Sequence, residues 1–482
     1  MKRSNPFPRP LRACRPALAA LALAALAIAA SACGGSPTPP GTAAPAPAAA
    51  PLEQRLALPD IAEPMITAGT TVLEIEGLQV VHRRTPGNDV VAAGVFFTGG
   101  ARHWRPETLG DERLALQVLA AAGPAHLTKD EFQAAIDARG ATISAASGRE
   151  FASVAAVSLI DDFDTIWALL VDALEAPDLH PDEIALQRAR QLTRIRSELD
   201  DPDSAISILA RRSFFAGRPA AWSPLGTLET VDALGARDLA VALDALLVRD
   251  RARLVLVGDL DPHHVQRAAR ALLDRGVLPA RTPSEPAPLP PLPDRAPTVE
   301  VIPREGLPTA YVLGYFAAPA PDHPDHAALT VGVRLLSDRF FEEVRTRRNL
   351  SYAVSAGLGR IRENVGWLYV TSTRPEEALT VMIETVEALV AGAVSEQDVA
   401  EQVESALTAL YMGLQANQAQ ASMLARWLAV TGDVRWADAH LERFRAVTPD
   451  EVRHAVDRWL RNVHLVVLAA PGAVDADAFP LR

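Results

Sequence analysis

The sequence predicts an α+β protein of two homologous domains, each a layer of helices on a mainly antiparallel sheet. Three observations carry this. First, the two halves of the 482-residue chain repeat each other in order. Val95-Phe-Phe-Thr-Gly-Gly-Ala parallels Gly314-Tyr-Phe-Ala-Ala-Pro-Ala, and His180-Pro-Asp-Glu-Ile parallels Ser395-Glu-Gln-Asp-Val. Gly235-Ala-Arg-Asp-Leu parallels Thr448-Pro-Asp-Glu-Val, and Arg253-Leu-Val-Leu-Val parallels His464-Leu-Val-Val-Leu. The spacing between partners shrinks steadily along the chain, as a tandem duplication with small deletions would leave it. Second, a proline-rich stretch at 279–297 stands between the halves. Third, within each half the pattern runs strand, helix, strand, helices, closing strand.

The elements follow in chain order. Residues 1–32 read as a secretory signal: five basic residues and no acid, an apolar run from Ala17 to Ala30, then small residues. That run is short for a permanent membrane helix. Ala30-Ser31-Ala32-Cys33 is similar to a bacterial lipobox, which makes Cys33 the expected lipidation site. Residues 33–60, rich in Gly, Pro, Ala, Ser and Thr, read as a disordered tether. The first domain is expected over 61–278. Val90-Val-Ala-Ala-Gly-Val-Phe-Phe and Arg253-Leu-Val-Leu-Val are short, β-rich and apolar on both faces, hence buried strands. Thr128-Lys-Asp-Glu131 is a capping box, with Gly140 as the left-handed stop of its helix. In 279–297 the prolines remove backbone donors and forbid helix, which marks a linker. The second domain is expected over 298–482, where Thr448-Pro-Asp-Glu451 repeats the capping device with Pro at the first helical position. Ile166 to Leu174 and Leu379 to Val390 carry helical apolar stripes.

Composition narrows the function. Without the first 32 residues, 42 basic face 59 acidic side chains, so a polyanionic partner such as nucleic acid is not expected. Cys14 leaves with the signal and Cys33 remains alone, which excludes an intrachain disulfide and a cysteine-rich metal site.

Residues 72–262 resemble the N-terminal half of the insulinase/pitrilysin zinc metallopeptidases. Gly77-Leu-Gln-Val-Val-His is similar to the family's opening hairpin, Gly99-Gly-Ala-Arg to the turn before its active-site helix, and Val257-Gly-Asp-Leu-Asp-Pro to the domain's close. Residues 298–482 resemble the C-terminal half, centred on Phe341-Glu-Glu-Val-Arg-Thr-Arg-Arg-Asn-Leu-Ser-Tyr. The resemblance implies the two-domain fold, with a chamber between halves, and an inverted zinc motif, H-x-x-E-H, on a helix. In that motif two His hold zinc, the Glu is the general base, and a Glu further along is the third ligand. Here the motif positions are Arg113, Leu116 and Gln117, with the third ligand's position near Thr193. None of these can supply the chemistry, so no catalytic residue and no metal or other cofactor is expected in this chain. The resemblance also implies that an Arg and a Tyr seven residues apart hold the substrate backbone; Arg345 and Tyr352 match that spacing. Asn349 stands where the family has Gly, and Asn is the next-best residue for a left-handed helix stop.

Other clusters read as structural. Asp322-His323-Pro-Asp325-His326 precedes a helix and is expected to cap it. His263-His264 reads as a solvated helix start, and Asp161-Asp162-Phe-Asp164 as acids favoured at a helix N-terminus.

The expected function is therefore that of a non-catalytic, substrate-binding subunit, like the zinc-free subunit of mitochondrial processing peptidase. An H-x-x-E-H-bearing homologue would be its partner and carry the zinc. Peptides in the cell envelope would be its substrates, and the lipid on Cys33 its hold on a membrane, by resemblance the bacterial outer membrane facing the periplasm. The alternatives are a degenerate scaffold or binding lipoprotein without proteolytic role, and a peptidase with an unrecognised site.

Overall fold

A computed structural model describes residue 58, residues 64–281, residue 292 and residues 296–480. The signal segment, Cys33, nearly all of the expected tether and most of the proline-rich linker lie outside the described residues.

The first half builds β1 (Thr70–Ile75), β2 (Leu78–Arg84), β3 (Val90–Thr98), α1 (Asp111–Ala122), α2 (Lys129–Asp137), β4 (Thr142–Ser147) and β5 (Phe151–Leu159). There follow α3 (Phe163–Glu175), α4 (Pro181–Asp200), α5 (Pro202–Phe214), α6 (Leu228–Ala233), α7 (Ala236–Leu246), β6 (Ala252–Gly258) and α8 (Pro262–Asp274). The second half builds β7 (Thr298–Pro303), β8 (Ala310–Ala317), α9 (Asp325–Phe340), β9 (Val354–Leu358), β10 (Val365–Ser372) and α10 (Pro375–Val390). It ends with α11 (Glu396–Gly413), α12 (Asn417–Thr431), α13 (Trp436–Arg445), α14 (Pro449–Trp459) and β11 (His464–Ala469).

The sheets show the duplication directly. The first has strand order β1-β2-β6-β3-β5-β4 and the second β7-β11-β8-β10-β9, so the second repeats the first without the edge hairpin strand β1. The parallel pair β2–β6 has its counterpart in the parallel pair β7–β11; the other pairs are antiparallel. The helix signals act as read. Thr128 and Glu131 form a reciprocal capping box on α2, Gly140 takes φ 57°, and Thr448 and Glu451 repeat the box on α14 with Pro449 in the first turn. Each such cap contributes about 1 kcal/mol.

One face of the first sheet buries Val80, Val91, Val95 and Phe97 against Leu114, Leu119, Ile166, Leu170, Leu243 and Leu272 from α1, α3, α7 and α8. Its other face, with Val81, Ala92, Phe96, Val255 and Val257, is covered by Ala421, Leu424, Ala425 and Leu428 of α12, a helix of the second half. The second sheet reciprocates: Leu313, Tyr315, Val466 and Leu468 pack against Ala205, Ile206 and Ala210 of α5 from the first half. Each half thus lends one helix to the other's sheet. Burying a side chain such as Leu424 or Ile206 contributes roughly 1.5–3 kcal/mol each, so the two halves share one stability.

Polar contacts tie the same seam. The Asn417 side chain donates to Val90 O at 2.6 Å, and the Arg362 amide donates to Glu150 at 3.2 Å. Arg218 donates to Glu363, and Asp438 receives the backbone amides of Met65, Ile66 and Thr67 at 2.6–2.9 Å. Among the described residues no helix is long and apolar enough to cross a membrane.

Candidate functional site

The first turn of α1 is fixed by buried polar chemistry. Gly110 precedes it at φ 95°, where a Cβ would stand 2.7 Å from Leu225 O, so only glycine fits. Gln191 of α4 bridges this corner, donating to Gly110 O at 3.1 Å and Leu225 O at 2.9 Å. Asp111 accepts from Thr108 Oγ1 at 2.6 Å. Glu112 is buried; Ser147 donates to it at 2.6 Å and Arg251 lies 3.9 Å away. Burial pushes the Glu112 carboxyl up, against the opposing pull of Ser147 and Arg251. Nearby His103 is held down at about 4, first by burial and then by Arg251 and Arg102. Sequence reasoning assigns Asp111 and Glu112 no role. The burial of Glu112 depends on β4 and Arg251, which are remote in sequence.

The three motif positions now have assigned work. Leu116 is 0% exposed and belongs to the core beneath the sheet. Gln117 donates from Nε2 to the carbonyl of Ala145 on β4 at 3.0 Å. Arg113 is half-buried beside the Arg194–Glu198 pair of α4, whose own separation is 2.8 Å. Burial lowers the Arg113 pKa; Glu198 opposes that and Arg194 adds to it. Thr193 does not face Arg113: it is exposed, and its hydroxyl donates to Ala189 O of its own helix at 2.9 Å. Arg194 and Glu198, not Thr193, are the α4 groups whose charges reach α1. The donor set does not fit zinc: a cation, a hydrocarbon and a committed amide replace two imidazoles and a base. Among the described residues no three His, Cys, Asp or Glu side chains converge as a metal-holding group.

The second candidate sits at the end of α9. Beyond Phe340 the chain winds wider, as a π helix over Phe341–Arg347, a distortion common where side chains are aimed for function. Asn349 closes it at φ 50°, the left-handed stop expected, with the Asn349 and Leu350 amides donating to Arg345 O at 3.2 Å and Val344 O at 2.9 Å. The strand β9 starts at Val354, and ahead of it Ser351 turns its hydroxyl onto Ala353 O at 2.9 Å. Arg347 is taken by Glu342 at 3.1 Å and Glu343 at 2.7 Å, and Arg348 also by Glu343. Arg345 has no carboxylate partner among the described residues and lies 4.7 Å from the Phe341 ring centroid. Tyr352 is 79% exposed. Both are thus presented to solvent, Arg345 from the π helix and Tyr352 from the bend that follows it.

The remaining clusters stand at helix starts, and of their helices only α8 has a side-chain cap: Asp261 accepts the His264 amide at 2.9 Å, while His323 accepts the Asp325 amide at 3.1 Å ahead of α9 and Asp164 pairs with Arg267 at 2.8 Å without capping α3. Sequence reading missed that His326 meets His440 of α13, ring centroids 5.0 Å apart, in the second core.

Comparison with known proteins matches this geometry. Residues 79–213 match the profile described as insulinase (peptidase family M16), and residues 236–406 that described as peptidase M16 inactive domain. An uncharacterized zinc protease of Streptomyces coelicolor is 23% identical over 78% of this chain and 84% of its own length. Another, of Mycobacterium tuberculosis, is 23% identical over 82% of this chain and 92% of its own. A protease from Helicobacter pylori superposes with a TM-score of 0.76 at 16% identity, covering 83% of this chain and 99% of its own. A peptidase M16 inactive-domain protein from Pseudomonas fluorescens gives 0.75 at 15%, covering 84% and 99%. With its duplicated α+β domains and both matching profiles, this chain belongs to the insulinase family of peptidases, family M16.

Proposed function

We propose that this chain is a non-catalytic, substrate-binding subunit of a two-chain peptidase of its family, acting on peptides in the cell envelope. The observation that carries this is the contrast between its two sites. The α1 positions Leu116 and Gln117 are absorbed into packing, while Arg345 on the π-helical turn and Tyr352 in the bend beyond it stand exposed, Arg345 uncommitted to any acid among the described residues. A relic would have no reason to keep Arg345 free while its neighbours Arg347 and Arg348 are paired. In this reading Arg345 donates to a substrate carbonyl as a charged fork, and Tyr352 offers its hydroxyl to the oxyanion that forms at the partner's metal. The partner supplies zinc, the general base and the other wall of the chamber. Lipidation of Cys33 holds the assembly to a membrane, and the outer membrane facing the periplasm is the compartment proposed.

The test is reconstitution. Purified alone, the chain is expected to hold no stoichiometric zinc and cleave no unstructured peptide. Mixed with an H-x-x-E-H homologue from the same genome, it should form a stable complex and raise that homologue's peptide-cleavage rate. One tightly held zinc per chain, or a homologue equally active without this chain, would sink the proposal; the second result would favour a scaffold.

A further inference from the structure

The second half contains a cavity of about 520 Å³ between α9, α11, α12 and α13. Its walls are largely apolar, including Leu410, Trp427 and Phe444, yet three guanidiniums, Arg334, Arg360 and Arg426, also line it, and no acidic side chain does. None of the three forms an ion pair among the described residues. Arg334 has only a long 3.4 Å contact to Ser405, and its Nε is buried without a partner. Arg426 lies 5.9 Å from the Phe151 ring centroid. Arg360 has no hydrogen-bond partner among the described residues. It is exposed by area yet densely surrounded by protein, the condition of a side chain standing in a cavity. Burial pulls its pKa down, and Arg426 and then Arg334 pull it further. Arg360 and Arg426 are exposed by area and Arg334 is half-buried, so three like charges with no acid among them stand around one recess, an unfavourable arrangement in the empty protein. A ligand that brings an anion relieves the strain.

We infer that this cavity binds a single-chain amphipathic anion, its acidic head on Arg334, Arg360 and Arg426 and its hydrocarbon tail against Leu410, Trp427 and Phe444. Ligand sites of 300–1,000 Å³ with mostly apolar walls and a few convergent polar groups are typical for molecules of that size. The walls decide against a peptide. They offer few uncharged polar groups, chiefly Thr330, Ser422 and His440, so most of a peptide's backbone amides would be buried without partners, whereas an alkyl chain has none to satisfy. The site is separate from Arg345 and Tyr352 and does not depend on the subunit reading.

The experiment is calorimetric titration of the purified chain below micellar concentration. The probes are decanoate, decyl phosphate, decanol, decyltrimethylammonium, inorganic phosphate and an acidic leucine-rich hexapeptide. Decanoate or decyl phosphate is expected to bind one to one, and the tighter of the two identifies a fatty-acid or a phospholipid head. Decanol and the cationic amphiphile should bind at least about tenfold more weakly, as expected when charge-assisted hydrogen bonds are lost. Arg360→Gln should weaken the anion about tenfold while raising the melting temperature of the empty protein, because it removes an unpaired charge. Leu410→Trp, which fills the cavity, should abolish binding. Affinity indifferent to head charge, an unaffected or less stable Arg360→Gln protein, or tighter binding of the hexapeptide would each overturn the assignment.

Discussion

Gln117 spends its side-chain amide on the carbonyl of Ala145, 3.0 Å away, and so fastens α1 to the edge strand β4. One residue earlier, Leu116 is wholly buried. Both side chains are therefore given over to packing. Gln117→Ala should cost about 1 kcal/mol through the unpaired carbonyl. Leu116→Glu should cost roughly 3 kcal/mol or more, since it puts a carboxylate among hydrocarbon with no cation to meet it. Chemical denaturation of the two variants checks this. If Leu116→Glu is as stable as the parent, the position is open to solvent and the packing account is wrong.

Tyr352→Phe removes only a hydroxyl from an exposed ring. In the reconstituted pair it should lower the cleavage rate on the order of 100- to 1,000-fold if it supplies an oxyanion donor, with assembly unchanged by size-exclusion chromatography. Arg345→Lys keeps the charge and loses the planar fork, so it should retain only part of the rate. Parental rates for both variants in an intact complex would remove the assigned role.

The buried histidines predict acid sensitivity. His326 is held down at about 3, chiefly by burial and then by Arg360, and His440 is also held well below the usual range. In the unfolded chain both take a proton near pH 6.5, whereas the folded protein refuses it. Stability is therefore full above pH 6.5 and falls as pH drops from there toward the folded values, at about 1.4 kcal/mol per pH unit per histidine as an upper bound. Urea midpoints from pH 7.5 to 4.5 measure the slope. His326→Gln should flatten it, and an unchanged slope would assign the acid sensitivity elsewhere.

Cys33 gives the fourth prediction. The chain expressed in a Gram-negative host should fractionate with membranes, and Cys33→Ser should release it to the soluble periplasm. Two or three acyl chains anchor stably where one does not. The same membrane fraction for the variant would end the lipid-anchor reading.

What the sequence made legible was what local chemistry decides. The capping boxes at Thr128 and Thr448, the Asn349 stop and the buried strands need only neighbours a few residues away, and the repeat aligned one half on the other. Partner choice between elements was not legible. The stripes read at Ile166–Leu174 and Leu379–Val390 announce burial within one half, but nothing around Ile206 or Leu424 says that α5 and α12 cross to the other half's sheet. The position near Thr193 came from counting along the chain from the motif; a one-residue difference turns a helical side chain by about 100°, enough to carry it out to solvent. Glu112 and the Arg334–Arg360–Arg426 cluster join residues far apart in the chain, each unremarkable on its own helix or turn.

The exchange of α5 and α12 has a consequence for how the molecule is made. Residues 417–431 seal a sheet whose last strand ends at Gly258, so more than 150 residues must emerge after that strand before its second face is covered. During that interval Val81, Phe96 and Val255 form an open greasy plane, a binding surface for chaperones and a liability without them. A chain interrupted anywhere before Asn417 is thus not half a working protein but an aggregation-prone fragment. By the same logic a single cut between residues 282 and 291 should leave two pieces that travel as one, like a clasp whose hooks are already engaged.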